Sequence, residues 1–282
     1  MILLENGVYV VNSPLKDNYI KEAQMISEYT VNTWQKNRSL IEKKLNTQNG
    51  KRAEHALECV LEHNGVAYIP YDNFRTDMFK KHAPFDGLIY SKSQDIHLFL
   101  NKINSEIENG DYGKISIQTL NELVESKVFP VEIKSTQVAK RHLPNYAIEN
   151  YMDRDFLCKI SKEIQRKDDF LTYPFFCRYS NDKVDLNWYF DKARNIETNF
   201  KTLEELLQFE KQNQAFFHIR VYQKNNIFFV LKFIDRNEFF EKSGLKVKKM
   251  YQPNKSENAV YFSKKMTKGY TIDNIKNYFN EV

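Results

Sequence analysis

Cysteine is scarce in this chain. Its three, Cys59, Cys158 and Cys177, include no CxxC and have no histidine at ligand spacing. That excludes a structural zinc site and a disulfide scaffold and is in keeping with a reducing compartment. Long apolar runs are absent as well, and none approaches the ~18 residues that a membrane-spanning helix needs. The opening MILLENGVYVVNSP has no basic stretch and is interrupted by Glu5 and Asn6, so no secretory signal is expected. Glycine and proline number only 8 and 7, which argues against a low-complexity chain. No internal repeat, Walker loop, helicase motif or Ser/His/Asp arrangement is present.

What remains is the composition of a soluble globular protein. The 282 residues are 41% hydrophobic and 28% charged, enough to bury a sizeable core. Aromatics are plentiful, with 21 Phe and 17 Tyr, but Phe belongs in any core and Tyr serves many roles. The net charge of +5 is modest, yet it is concentrated. From Lys246 onward eight lysines face only Glu257, Asp273 and Glu281, so this end carries the whole excess. A basic end on a neutral body fits either a polyanion contact or a solvated lysine-rich surface.

Apolar spacing of three and four residues predicts helix over 17–46, broken at Asn49 and Gly50, then a short helix through Ala53, Ala56, Leu57, Val60 and Leu61 that stops at Asn64 and Gly65. Strands are expected at 66–71 and 85–91, helices at 95–108 and 116–127, and a strand at FPVEIKST, 129–136. Beyond it come a helix over 146–166, a strand over 170–179, a helix over 202–212, a hairpin across Lys224 and Asn225, and a last helix from Ile272 to Phe279. Strands interleaved with helices indicate an α/β or α+β core.

FPVEIKST carries the chemistry. Alternation puts Val131 and Ile133 on one face and Glu132 and Lys134 on the other, with carboxylate and ammonium about 7 Å apart along the strand. Asp86 opens the earlier strand, after Pro84 and before Gly87, and reaches Glu132 if the two strands pair. Two close carboxylates repel, and a hard divalent cation is their natural partner. Such an ion lowers the pKa of a bound water and neutralises charge on phosphoryl oxygens, while Lys134 can stabilise the transition state. Gln137, Lys140 and Arg141 follow at once and are either phosphate contacts or a solvated turn. Asp72 and Asp77 are alternative acids.

Pro84, Phe85 and Asp86, followed by Glu132, Ile133 and Lys134, resemble the PD-(D/E)XK nuclease signature, with one residue inserted between Pro and Asp. An acid-x-Lys triplet alone is weak, since Glu42, Lys43 and Lys44 form another. The order of elements, over about residues 50–140, gives the resemblance its weight. It implies a restriction-endonuclease-like core, an α/β (α+β) fold with a mixed central sheet flanked by helices. The whole of 1–282 would be one nuclease domain, with the catalytic core at about 50–180 and 200–282 completing the fold and contacting DNA. Asp86, Glu132 and the backbone carbonyl of Ile133 would ligate Mg²⁺, with Mn²⁺ as a substitute. Lys134 would be catalytic, and Glu54 matches a glutamate that many members place on a preceding helix. The implied function is a Mg²⁺-dependent endodeoxyribonuclease, most like a cytoplasmic type II restriction endonuclease of a restriction-modification system, acting on double-stranded DNA as a homodimer. A repair exonuclease, a junction resolvase and a non-catalytic nucleic-acid-binding module remain open beside it.

Overall fold

A computed structural model describes residues 1–12, 21, 23–26, 39–110, 113–143, 153–172, 177–180, 183–191, 196–198, 200–252 and 257–280. Two short strands, β1 (Ile2–Leu3) and β2 (Tyr9–Asn12), come first. The helix α1 (Leu40–His63) starts at Ser39, whose hydroxyl accepts from the Glu42 amide while the Glu42 carboxylate accepts from the Ser39 amide. This reciprocal pair satisfies donors that a helix start leaves free. Contrary to the break expected at Asn49 and Gly50, α1 runs straight through both. A mid-helix glycine costs about 1 kcal/mol. Burying Leu57, Val60 and Leu61, all fully enclosed, contributes about 1.5–3 kcal/mol for each side chain and outweighs it. Most of the helix expected over 17–46 lies outside the described residues.

The next elements fall within two residues of where apolar spacing places them. They are β3 (Val66–Pro70), β4 (Gly87–Ser91), α2 (His97–Asn109), α3 (Ile117–Glu125) and β5 (Phe129–Gln137). The helix α4 (Arg154–Lys167) is the later part of the one expected over 146–166, and residues 144–152 lie outside the described set. The single strand expected over 170–179 is two, β6 (Asp169–Thr172) and β7 (Cys177–Ser180), in different sheets. There follow β8 (Lys183–Asp191), β9 (Ile196–Thr198), α5 (Leu203–Asn213), β10 (Phe217–Lys224), β11 (Ile227–Asp235) and α6 (Arg236–Phe240). The hairpin β12 (Lys246–Gln252) and β13 (Glu257–Lys265), unread in the sequence, comes next, and Ile272–Tyr278 is a 3₁₀ helix.

The main sheet has seven strands in the order β1-β2-β11-β10-β5-β4-β3. Every described pairing in it is antiparallel except β5 with β10. Two three-stranded sheets, β12-β13-β6 and β7-β8-β9, stand beside it. The fold is therefore a mixed α/β arrangement, a mixed sheet flanked by helices. Among the described residues no helix is long and apolar enough to cross a membrane.

On one face of the sheet α1 packs Ala53, Leu57 and Leu61 against Val131, Ile133, Ile219 and Val221. The other face is covered in two parts. Ile103, Ile107, Leu120 and Leu123 of α2 and α3 pack on Leu88, while α4, α5 and α6 pack on Tyr222, Phe229 and Leu231.

The strand β5 forks at Val131. Its β4 partners end there, with Gly87 opposite Val131, and its β10 partners begin there, with Phe217 opposite Val131. Pro130, which has no N–H to donate, falls just before the β10 ladder and so costs no bond there. Among the described residues, only one side of β5 is paired with a strand from Glu132 to Gln137. Close packing at the fork needs Gly87, because a Cβ there would lie 2.5 Å from the Tyr68 ring and 2.6 Å from the Ile69 carbonyl oxygen. Gly87→Ala should therefore destabilise the protein by about 1–3 kcal/mol through overpacking, read as a lower urea midpoint. An unchanged midpoint would show that β3 and β4 separate without strain.

Candidate active site at the fork of the central strand

Asp86 sits at the mouth of the fork and is held by its backbone first. Its amide donates to Val131 C=O at 2.9 Å, and its carbonyl accepts from the Tyr71 amide at 2.9 Å. The side chain extends along the side of β5 that faces away from β10, where the carboxylate accepts from the Ile133 amide at 2.5 Å. The 46-residue separation from Glu132 is therefore closed, as strand pairing required. The loop that delivers Asp86 is anchored in turn. Lys81 Nζ donates to the Ile107 and Glu108 carbonyls at the end of α2, at 2.6 and 2.9 Å. Arg75 binds both Asp72 and Asp77, at 2.8 and 2.7 Å. The two alternative acids are thus committed to that arginine, and Asp86 is the acid that meets β5.

Glu132 and Lys134 alternate away from the apolar face under α1 and pair with each other through Lys134 Nζ and Glu132 Oε1. Both side chains keep about a third of their surface exposed, at 27% and 38%. Glu54 lies in α1, buried, and takes a 2.7 Å bond from Lys51, one turn earlier. Lys51 also binds Asp72 at 2.5 Å and is itself buried.

These contacts set the protonation of the group. Asp86 keeps some accessible surface, but protein atoms crowd its carboxyl. That burial pushes its pKa well above the ordinary 3.8, and the Glu132 and Glu54 carboxylates push it the same way, against the opposing pull of Lys134 and the Ile133 amide. Burial also acts to raise Glu132, but the Lys134 ammonium outweighs it and leaves Glu132 below the usual range. For Lys51 burial works against the charged form, while Glu54 and Asp72 together overcome it and hold the ammonium protonated. Asp86 is thus the member of the cluster that favours an added proton or cation.

Comparison with protein-family models, with curated proteins and with solved structures gives no match to this chain.

The residues fit a divalent cation through their donor chemistry. Asp86 and Glu132 offer hard oxygens, and the repulsion that adds to burial in raising Asp86 is what such an ion relieves. Among the described residues no three His, Cys, Asp or Glu side chains are gathered to hold a metal ion. Glu132 turns to Lys134 and Glu54 to Lys51 instead. Two carboxylates with water completing the shell would be the set such an ion takes here, one that Mg²⁺ accepts.

The remaining candidates fall outside this cluster. Gln137 and Lys140 are exposed at and just beyond the end of β5. Arg141, also exposed, is committed to Asp168, which accepts from its Nε at 3.2 Å and its Nη2 at 3.0 Å. The lysine-rich end is partly spent on the fold. Lys264 is buried and donates to the Glu238 and Glu241 carbonyls, and Lys248 and Lys265 both pair with Asp169.

Two groups beside the site escaped the sequence reading. Parallel pairing sets His218 opposite Glu132 and Arg220 opposite Lys134, both on the face of the charged pair. His218 is buried and stacks on Phe239, and burial pushes its pKa down to about 4 although Glu132 pulls upward. The signal was present in FHIRV, where polar residues alternate with apolar ones as they do in VEIKS.

Two outcomes follow. Lys51→Met would take from buried Glu54 its ion pair with Lys51 and leave Asp72 to Arg75, and should cost about 3–5 kcal/mol in urea denaturation; a loss under about 1 kcal/mol would mean that solvent reaches the cluster. For Asp86, a raised folded pKa means that its stabilising contribution is full below about pH 4 and is lost as pH rises through the folded value. Asp86→Asn cannot ionise. In metal-free buffer its urea midpoint should exceed the wild type's at pH 8, and the difference should vanish or reverse near pH 4. A midpoint below the wild type's at pH 8 would refute the assigned electrostatics.

Proposed function

We propose that the chain is a Mg²⁺-dependent endodeoxyribonuclease, a type II restriction endonuclease of the cytoplasm, acting on double-stranded DNA. The observation that supports this best is the fork at Val131, where the Asp86 carboxylate bonds to the Ile133 amide beside Glu132 and Lys134. That constellation is what the resemblance to the PD-(D/E)XK nucleases calls for, and it lies on a partly exposed edge that an extended polyanion can approach.

Asp86 and Glu132, with the Ile133 carbonyl, would hold Mg²⁺, which supplies a water of lowered pKa and neutralises charge on the phosphoryl group. Lys134 brings ammonium donors to the same edge. In the free protein they engage Glu132, and with a phosphodiester present they would orient the attacking water and stabilise the charge of the pentavalent transition state. Glu54, held by Lys51, adds negative potential beside Asp86 and keeps it receptive to a cation. Gln137 and Lys140 would meet neighbouring phosphates, while Arg141 shapes the turn that carries them by its bond to Asp168. Cutting both strands calls for two such sites, hence a homodimer.

The pairing of Glu132 with Lys134, and the lack among the described residues of three converging ligands, favour a second reading. In it the fold binds nucleic acid without cutting. The deciding experiment incubates the protein with closed circular plasmid and phage DNA in Mg²⁺ and sequences the ends. Discrete fragments from circles identify a restriction enzyme, and digestion of linear ends alone identifies an exonuclease. Binding without cutting, weakened by salt, identifies the binding module. Asp86→Ala, Glu132→Ala and Lys134→Ala should each lower cleavage by about 10²–10⁴-fold while DNA binding in EDTA stays within a few-fold. Full cleavage by any purified one of the three would remove that residue from the site.

A further inference from the structure

Arg220 is 6% exposed, and among the described residues its guanidinium bonds only to neutral groups. Its Nη2 donates to Thr136 Oγ1 at 3.2 Å and to the Tyr222 hydroxyl at 2.8 Å, and its central carbon stands 5.2 Å from the Tyr222 ring centroid. Its Nε meets no acceptor. Among the described residues no carboxylate forms an ion pair with it. The hydrogen-bond chain continues from the Tyr222 hydroxyl to Asp168, but that carboxylate is already shared by Arg141 and His142. A guanidinium cannot shed its proton to escape burial, and buried charges are ordinarily paired. This one waits for an anion.

Its place says which anion. Register sets Arg220 opposite Lys134 and Tyr222 opposite Thr136, so the guanidinium rises on the face that carries Glu132 and Lys134, one strand away, about 4.8 Å. We infer that Arg220 is a phosphate-binding residue that receives a backbone phosphate of the nucleic acid next to the one held at Lys134. The fork geometry of arginine suits two phosphate oxygens at once. The nature of the ligand rests on the function proposed above; the anion site does not.

The test separates the two. In EDTA, inorganic phosphate titrated into the wild-type protein should shift the Arg220 Nε–H resonance saturably, assigned by its loss in Arg220→Lys, and a short duplex DNA should compete. Arg220→Met should bind that duplex at least tenfold more weakly, with the slope of log K against log salt reduced by about 0.9, the share of one phosphate contact. Arg220→Lys should keep the slope. Because an unpaired buried cation is removed, the melting temperature of Arg220→Met should be unchanged or higher. An unshifted resonance in the wild type overturns the proposal, whether or not Arg220→Met folds. So does an Arg220→Met protein with a lower melting temperature and undiminished DNA affinity, which would make Arg220 a strut for Tyr222. A saturable shift without duplex binding keeps the anion site and discards the nuclease reading. Cleavage that persists with no phosphate response at Arg220 does the reverse.

Discussion

The bond from the Ile133 amide to the Asp86 carboxylate is the constraint on which the site depends. Where β4 leaves β5, a central strand loses one partner in the middle of a sheet, and a backbone donor there must be satisfied. Asp86 supplies the acceptor from a side chain. The substitution has two effects. It ends the β4 ladder without an unpaired donor at Ile133, and it delivers a carboxylate to the neighbourhood of Glu132, where burial first, and then the Glu132 and Glu54 charges, push its pKa up.

The surrounding charges read as compensation for that placement. Lys51 bridges Glu54 and Asp72, Arg75 bridges Asp72 and Asp77, and Lys134 answers Glu132. Glu54, Asp72, Asp77 and Glu132 each have a cation partner, and among the described residues Asp86 forms no ion pair. A buried ion pair yields little net stability, because desolvation of both members offsets their attraction. Its consequence here is geometric: α1 and the loop after β3, bridged by Lys51 and Asp72, cannot shift past one another without stranding a charge.

Much of this was legible in the sequence, for reasons that differ by element. The segments β3, β4, α2, α3 and β5 have clean periodicity and turn residues at their ends, so local spacing and tertiary burial agree. The break expected in α1 fails because Gly50 lies in a helix whose neighbouring turns are anchored by burial of Leu57 and Val60. At the strand expected over 170–179 an apolar run hides a change of sheet, which no local pattern records. Within the site, Glu132, Lys134 and Asp86 were visible as charges that interrupt or open apolar strands. Arg220 and His218 were masked because their meaning depends on the parallel register with β5, a relation across more than 80 positions. Arg141 looked like a free cation because its partner, Asp168, stands 27 residues away. The hairpin of β12 and β13 is dense in lysine, and the adjacent pairs Lys248–Lys249 and Lys264–Lys265 interrupt the alternation that marks a strand.

The parallel pairing of β5 with β10 has a consequence in time. Past Val131, β10 is the sole strand partner of β5 among the described residues, and it is made some 80 residues later. During synthesis the edge with Glu132 and Lys134 therefore stands without that partner strand. A chain made only as far as α4 holds every acid of the proposed centre, but His218 and Arg220, which the register sets beside them, are still to come.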